Sequence, residues 1–358
     1  AGGMSQSILI LPGDGIGPEV ARAAQACLEA VARLEDLDFT FSESAFGGAG
    51  IEACGEPLPE ETLKAAQAAD AIFLGAVGGP QWDGGAKRPE QGLLGLRKAL
   101  GLFANLRPVK VFKGLEHLSP LKEDRVAGAD LLIVRELTGG MYFGEKREGD
   151  EEAFDGCAYS RVEVSRIAEI AFKAAQGRKG KLTSVDKANV LATSRLWRKT
   201  VNDLASDYPD VSVDHLYVDA AAMALVTGPT RFDVIVTENL FGDILSDEAA
   251  VVAGSIGLLG SASLGASGPG LFEPIHGSAP DIAGQDKANP SGAIASAAML
   301  LRYGLNQPRA ADRLEAALEA ALLHEERTAD LGGAASGSEF AEAVLRQIEK
   351  TAASAAAE

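Results

Sequence analysis

Apolar runs of strand length alternate along the chain with amphipathic stretches of helical period. Residues 7–11, 71–74, 129–134, 181–185, 215–218 and 232–236 are short, mostly Ile, Leu and Val runs bounded by turn formers, which predicts buried strands. Between them, Val20, Ala24, Cys27, Leu28 and Val31 recur at helical spacing. Stretches 59–68, 165–175, 194–206, 220–225, 293–303, 310–326 and 340–348 also read as helices. Residues 84–106 read mainly as one further helix ending near Arg107-Pro108. Strand, helix, strand with Gly-rich turns is the pattern of an α/β protein. Two stretches depart from it. The charged run 145–152 within residues 141–158 predicts a solvated hairpin or loop, and the small residues after position 250 predict a loop-rich region.

Composition narrows the class. A chain of 358 residues has room for more than one lobe and a sizeable core. Its net charge of −18 repels phosphate backbones, so nucleic acid is not expected as a partner. Cys27, Cys54 and Cys157 have neither paired nor metal-type spacing, which suits a reducing compartment. No signal-like start and no bilayer-length apolar run is apparent, so a soluble cytoplasmic protein is expected. Ala1-Gly2-Gly3 before Met4 reads as a cloning remnant and is set aside.

The stretch richest in chemistry is Thr237-Glu238-Asn239-Leu240-Phe241-Gly242-Asp243-Ile244-Leu245-Ser246-Asp247. Gly242 is expected to break the pattern before a helical run. Asp243 and Asp247, four apart, then share one helix face at the end of a buried strand, where open sheets place ligands. Paired carboxylates suit a hard divalent cation, which takes oxygen ligands; the alternative is a complement to the helix dipole. Asp219 is open between a helix cap and a third metal carboxylate. Arg97, Arg107 and Arg135 sit near element ends, and three convergent guanidinium groups would hold a di-acid. Taken alone, Arg97 reads as an exposed helix residue beside Lys98, whereas Arg135 closes a buried run. Tyr142, among glycines that let a backbone approach a ligand, is a candidate proton donor, and Lys187, after a strand, a candidate base. For each, packing or plain surface exposure is the competing reading.

Pro12-Gly13-Asp14-Gly15-Ile16-Gly17-Pro18-Glu19 imitates a dinucleotide fingerprint, but its third glycine falls one residue early. Lys179-Gly180-Lys181-Leu182-Thr183 lacks the upstream glycine of a phosphate loop. A second loop, Glu273-Pro274-Ile275-His276-Gly277-Ser278-Ala279-Pro280-Asp281, brings a His and acids together. An acid beside a nucleotide ribose accepts from its 2′-hydroxyl and repels a 2′-phosphate.

Taken together, these stretches resemble the β-decarboxylating dehydrogenases, the isocitrate/isopropylmalate dehydrogenase family, from about Ile8 to Phe340. The resemblance is carried by residues 11–19, Asn105-Leu106-Arg107-Pro108, Arg135-Glu136-Leu137-Thr138-Gly139-Gly140, Asp186-Lys187-Ala188-Asn189-Val190, residues 237–247 and residues 276–281. It implies an α/β, two-lobed isopropylmalate dehydrogenase-like fold and not a Rossmann fold. Residues 1–102 and 255–358 would form the cofactor-side lobe, and residues 103–254 the central lobe with the dimer contact. It implies that Arg97, Arg107 and Arg135 bind the substrate carboxylates. Asp243 and Asp247 would hold Mg²⁺ or Mn²⁺, with Asp219 and Lys187 supplied by the second subunit of a homodimer with shared active sites. Lys187 would help remove the C2 hydroxyl proton, and Tyr142 would protonate the enolate carbon. Glu90, Glu273, His276, Gly277, Ser278, Ala279, Asp281 and Asn289 would line the NAD site. Gly260 stands where the family commonly has Pro.

Within the family, Leu93 and Leu94 offer an apolar wall to the substrate's 3-substituent, where isocitrate would bury a carboxylate unpaired. The expected reaction is NAD-dependent oxidative decarboxylation of 3-isopropylmalate in leucine biosynthesis. The competing readings are a sister enzyme acting on tartrate, homoisocitrate or isocitrate, and a non-catalytic nucleotide- and metal-binding protein. The second would lack Lys187 or Tyr142, and both are present.

Overall fold

The computed structural model describes residues 4–254 and 256–357, with side chains as far as Thr351. The chain divides into two compact units, Ala1–Gly101 with Ile256–Glu358, and Leu102–Ser255. In chain order the first part of the outer unit holds β1 (Gln6–Gly13), α1 (Gly17–Leu34), β2 (Phe39–Glu43), α2 (Gly48–Cys54), α3 (Glu60–Ala68), β3 (Ala71–Ala76) and α4 (Pro89–Ala99). The inner unit follows with β4 (Leu102–Lys110), α5 (Glu123–Val126), β5 (Asp130–Glu136), β6 (Lys146–Arg147), β7 (Phe154–Asp155) and α6 (Arg161–Gln176). It continues with β8 (Lys181–Asp186), α7 (Ala192–Ala205), β9 (Ser212–Tyr217), α8 (Val218–Thr227), β10 (Val234–Thr237) and α9 (Asn239–Ala253). The chain then returns to the outer unit with β11 (Gly260–Gly265), β12 (Gly270–Pro274), α10 (Ser291–Met299), α11 (Pro308–His324) and α12 (Gly337–Ala357).

In the outer unit the strands run in the order β2-β1-β3-β12-β11. They are parallel except for the antiparallel pair β11 and β12. In the inner unit the order is β4-β5-β10-β8-β9, with only β4 antiparallel to its neighbour. An antiparallel strand in each unit, and a parallel neighbour of β3 drawn from the far end of the chain, set this apart from the doubly wound dinucleotide fold. β3 and β10 are buried at every position, as strands covered on both faces should be. Leu131, Ile133, Val185, Leu225, Ile235 and Leu245 pack as one core in the inner unit. No helix among the described residues is long and apolar enough to cross a membrane.

Several elements depart from the sequence expectation. The helix expected over 84–106 stops at Ala99; Gly101 takes a φ of 64°, and Leu102–Lys110 runs on as β4. Leu102, Phe103, Ala104 and Leu106 are all buried there, and pairing with β5 from Ala104↔Glu136 to Lys110↔Asp130 overrides their local helical pattern. The region after 250, expected to be loop-rich, contains the β11–β12 hairpin. Its small residues serve close packing: a Cβ on Gly260 would lie 2.8 Å from the Ser296 backbone nitrogen of α10. Gly260, where a Pro was the expected residue, is thus the first residue of a strand. Gly242 does not break α9. The helix already starts at Asn239, capped by Glu238, whose side chain accepts from the Phe241 N–H at 2.6 Å. β2 and α2 were not foreseen. The charged excursion does fold as a hairpin, with β6 paired to β7.

Candidate functional site

Within the inner unit, β5 and β10 run parallel with Arg135 opposite Thr237, so Arg135 reaches the point where β10 gives way to α9. The antiparallel strand β4 sets Asn105 opposite Arg135 and brings Arg107 two residues further along. Arg107 donates from Nε to Asn105 Oδ1 at 2.9 Å and from Nη1 to Ser246 Oγ at 3.1 Å, and Nη1 stands 3.5 Å from Asp247 Oδ1. Arg135 Nη1 stands 3.6 Å from Asp243 Oδ1, and the Tyr142 hydroxyl donates to the other oxygen of that carboxylate. The Arg135 guanidinium lies 5.4 Å from the Tyr142 ring centroid, within cation–π range. Burial, then the hydrogen bond to Asp243, pushes the Tyr142 phenol above its ordinary range, so it keeps its proton.

One turn apart on one face of α9, Asp243 and Asp247 are therefore each approached by an arginine. A carboxylate pair offering only hard oxygen donors fits Mg²⁺ or Mn²⁺. Among the described residues no three His, Cys, Asp or Glu side chains gather as a metal cluster, so Asp219 does not join the pair within one chain. Asp219 lies in the first turn of α8, two positions past the helix cap, which is Tyr217. Its Oδ1 accepts from Lys187 Nζ at 2.6 Å, and that bond holds its carboxyl below the usual range. Lys187 is placed by what precedes it. Asp186 is buried, receives Arg198 through Nε at 2.9 Å and Nη2 at 3.0 Å, and accepts from the Ala188 N–H. The Lys187 N–H itself donates to Ser194 Oγ at 2.8 Å.

The other sequence candidates lie in the outer unit. Arg97, on α4, is not the exposed residue that its neighbour Lys98 suggested. Its side chain is mostly buried, with Nη2 4.0 Å from Glu273 Oε2, and its Nε is a buried donor with no partner among the described residues. On the same helix Leu96 packs inward while Leu94 is 58% exposed, so Leu94 is no core residue; Leu93 is half-buried. Glu90 is exposed in the first turn of α4, where its Oε1 fills the space a Cβ on Gly78 would need.

The loop after β12 rests on the glycine-rich turn. The Ile16 N–H donates to the Ser278 carbonyl at 2.7 Å, and a Cβ on Gly15 would lie 2.0 Å from that oxygen. That turn thus supports the loop 276–281. Ala279 takes a left-handed φ of 40°, which aims the 3₁₀ turn Pro280–Ile282 and leaves Asp281 exposed. His276 pairs Nδ1 with the Gly277 carbonyl at 2.9 Å, while Nε2 is buried with no partner among the described residues. Burial holds its imidazole below the ordinary range and hence neutral. An orphaned ring nitrogen in the same loop as exposed Gly277 and exposed Asp281 suits a nucleotide's hydrogen-bonding edges. Asn289 is different: its side chain donates to Asp330 and accepts from the Ser291 N–H, so it is spent on the start of α10.

Sequence reasoning overlooked four groups. Asp14, in the glycine turn, is 4% exposed and gathers the N–H groups of Gly48, Ala49 and Gly78 at 2.8–2.9 Å. Buried Glu136 and Asn239 and the half-buried Tyr159 form a hydrogen-bonded network behind Arg135. The glycine pair after Glu136 was the available signal. A Cβ on Gly139 would lie 2.5 Å from Tyr159 Cε1, so that pair admits Tyr159 rather than a ligand.

Known proteins bear on this arrangement. A 3-isopropylmalate dehydrogenase of Listeria innocua is 56% identical over 347 residues, 97% of this chain and 99% of that protein. One from Staphylococcus aureus is 57% identical over 331 residues, 92% of this chain and 95% of its own. Among solved structures, an apo β-decarboxylating dehydrogenase from Thermococcus kodakarensis has a TM-score of 0.83 at 38% identity, covering 96% of both chains. An isocitrate dehydrogenase from Methylococcus capsulatus has a TM-score of 0.83 at 37% identity, covering 96% of this chain and 99% of its own. The model of the Isocitrate/isopropylmalate dehydrogenase family matches residues 7–344, and the chain belongs to that family.

Proposed function

We propose that the chain catalyses the NAD-dependent oxidative decarboxylation of 3-isopropylmalate to 4-methyl-2-oxopentanoate, a step of leucine biosynthesis. The observation that carries this reading is the grouping of Arg107, Arg135, Tyr142, Asp243 and Asp247 in a chain that matches 3-isopropylmalate dehydrogenases over nearly its whole length. Arg97, Arg107 and Arg135 hold the two carboxylates of the substrate, and Leu93 with Leu94 receives the isopropyl group. Lys187, paired with Asp219, takes part in removing the C2 hydroxyl proton. Loss of that proton accompanies transfer of the C2 hydride, which the nicotinamide accepts as the oxidant. The 3-carboxylate is then β to a ketone, and its C–C bond electrons pass into the enolate as CO₂ leaves. Tyr142, kept protonated, gives its proton to C3. A divalent cation held by Asp243 and Asp247, with Asp219 from a second copy, would supply Lewis acidity at the C2 oxygen. We assign NAD to Glu90, Glu273, Asp281 and the loop His276, Gly277, Ser278, Ala279, with Asn289 shaping the site from behind. The working unit is a homodimer, and Asp219 and Lys187 serve the site of the other copy.

A substrate panel tests the reading. With Mn²⁺ and NAD, 3-isopropylmalate should produce absorbance at the reduced nicotinamide band, and isocitrate, tartrate and homoisocitrate should give kcat/KM at least ~tenfold lower. NADP should be the poorer acceptor because Asp281 repels its 2′-phosphate. Equal use of isocitrate would move the chain to a sister activity. No reduced nicotinamide with any of them would leave a binding protein.

A further inference from the structure

Asn239 holds Arg135 through both its main chain and its side chain. Arg135 Nε donates to the Asn239 main-chain oxygen at 2.9 Å and lies 3.2 Å from Oδ1, while Nη2 donates to the same Oδ1 at 2.8 Å. These contacts turn Nη1 toward Asp243. Asn239 is the first residue of α9, so its own N–H has no partner inside the helix. It donates instead to the Tyr159 phenol oxygen at 3.0 Å. The phenol lies 3.3 Å from Glu136 Oε1. Glu136 is wholly buried and also accepts from the N–H groups of Thr138 at 2.7 Å and Gly139 at 2.6 Å, and from the Thr138 hydroxyl at 2.6 Å. Every partner of that carboxylate is a donor, so Tyr159 donates to it and its oxygen is left to accept from Asn239. Asn239 Nδ2 closes the circuit on the Gly139 carbonyl at 3.2 Å.

The ring of Tyr159 would pack equally well as phenylalanine: it lies over Gly139 and Gly140 and meets Trp197 edge-on at 5.6 Å. Its hydroxyl adds a second link between the start of α9 and the end of β5, beside the direct contacts of Arg135 with Asn239. We infer that Tyr159 is a positioning residue for substrate binding, its hydroxyl bridging Glu136 and the Asn239 amide so that Asn239 clamps Arg135 in its binding orientation. The inference rests on the assignment of Arg135 to a substrate carboxylate.

A double-mutant cycle between Tyr159→Phe and Arg135→Lys tests both levels separately. Tyr159→Phe should raise KM for 3-isopropylmalate about tenfold and leave KM for NAD unchanged. In the Arg135→Lys background the same change should cost less than about twofold, because the group being positioned is already altered. Asn239→Ser, which breaks the clamp from its other end, should raise the same KM and add nothing to Tyr159→Phe. Penalties that multiply in either pair would overturn the inference, as would a wild-type KM in Tyr159→Phe. A Tyr159→Phe chain that does not fold, or whose KM for NAD rises as much as that for the acid, would make Tyr159 a structural residue and overturn it too. A wild-type KM in Arg135→Lys is a different failure: it removes the assignment of Arg135 itself.

Discussion

Gly242→Ala isolates the contact that seats Arg135. Gly242 lies inside α9 at an ordinary helical φ, so backbone preference alone favours alanine by ~1 kcal/mol. The added Cβ, however, would stand 2.5 Å from Arg135 Cγ, 2.8 Å from its Cβ and 3.1 Å from its Cδ. Those atoms are the root of the side chain on a paired strand, not a flexible tip, so the strand or the helix must shift. Overpacking of this kind costs roughly 1–3 kcal/mol. The two effects combine to a net loss of stability of up to about 2 kcal/mol. The shift also withdraws the guanidinium from Asn239, whose charge-assisted bonds are worth roughly 1.5–3 kcal/mol each when intact. Partial loss of that clamp should raise KM for 3-isopropylmalate about tenfold, equivalent to ~1.4 kcal/mol. KM for NAD should not change, because every residue assigned to NAD belongs to the other compact unit of the chain. Urea unfolding and steady-state kinetics on the same preparation give both numbers. A Gly242→Ala enzyme that is more stable by the full propensity gain and keeps its wild-type KM would refute the contact, and with it the role given to this glycine.

Other outcomes follow from the same geometry. Replacing Leu93 and Leu94 with asparagine should reduce kcat/KM for 3-isopropylmalate more than for unsubstituted malate, by ~1–3 kcal/mol of discrimination; equal losses would place the isopropyl group elsewhere. Lys187→Ala and Asp243→Ala homodimers should each be nearly inactive, yet a co-refolded equal mixture should regain about a quarter of wild-type activity. Half of its dimers then carry one intact site, and native mass spectrometry verifies them; verified heterodimers as inactive as their parents would refute shared sites or their independence. His276 is buried neutral with its pKa below the ordinary value, so the unfolded chain binds the proton first. Its contribution to stability is therefore complete above about pH 6.5 and is lost as pH falls below that. His276→Asn should flatten that part of a urea-midpoint profile between pH 7 and 5, and an unchanged slope would count against a buried neutral imidazole.

The sequence alone determined the features that depend on near neighbours. Short apolar runs made β1, β3, β5, β8 and β10 readable because each is bounded by turn formers and buried on both faces. Spacing of four put Asp243 and Asp247 on one helix face, and the failed glycine spacing at 13, 15 and 17 argued against a dinucleotide loop. Tertiary structure decided whatever depends on a partner distant along the chain. Leu102–Lys110 is a strand because β5 lies beside it, and the small residues from 260 onward are strands because α10 packs against them. Arg97 departs from its exposed reading because Glu273 returns to it from 176 positions further along. Gly139 and Gly140 looked like room for a ligand until Tyr159 was found to fill it, and Gly242 looked like a helix breaker until Arg135 was found against it. In each case the local pattern states what a residue tolerates, and the packed neighbour determines which tolerance is used.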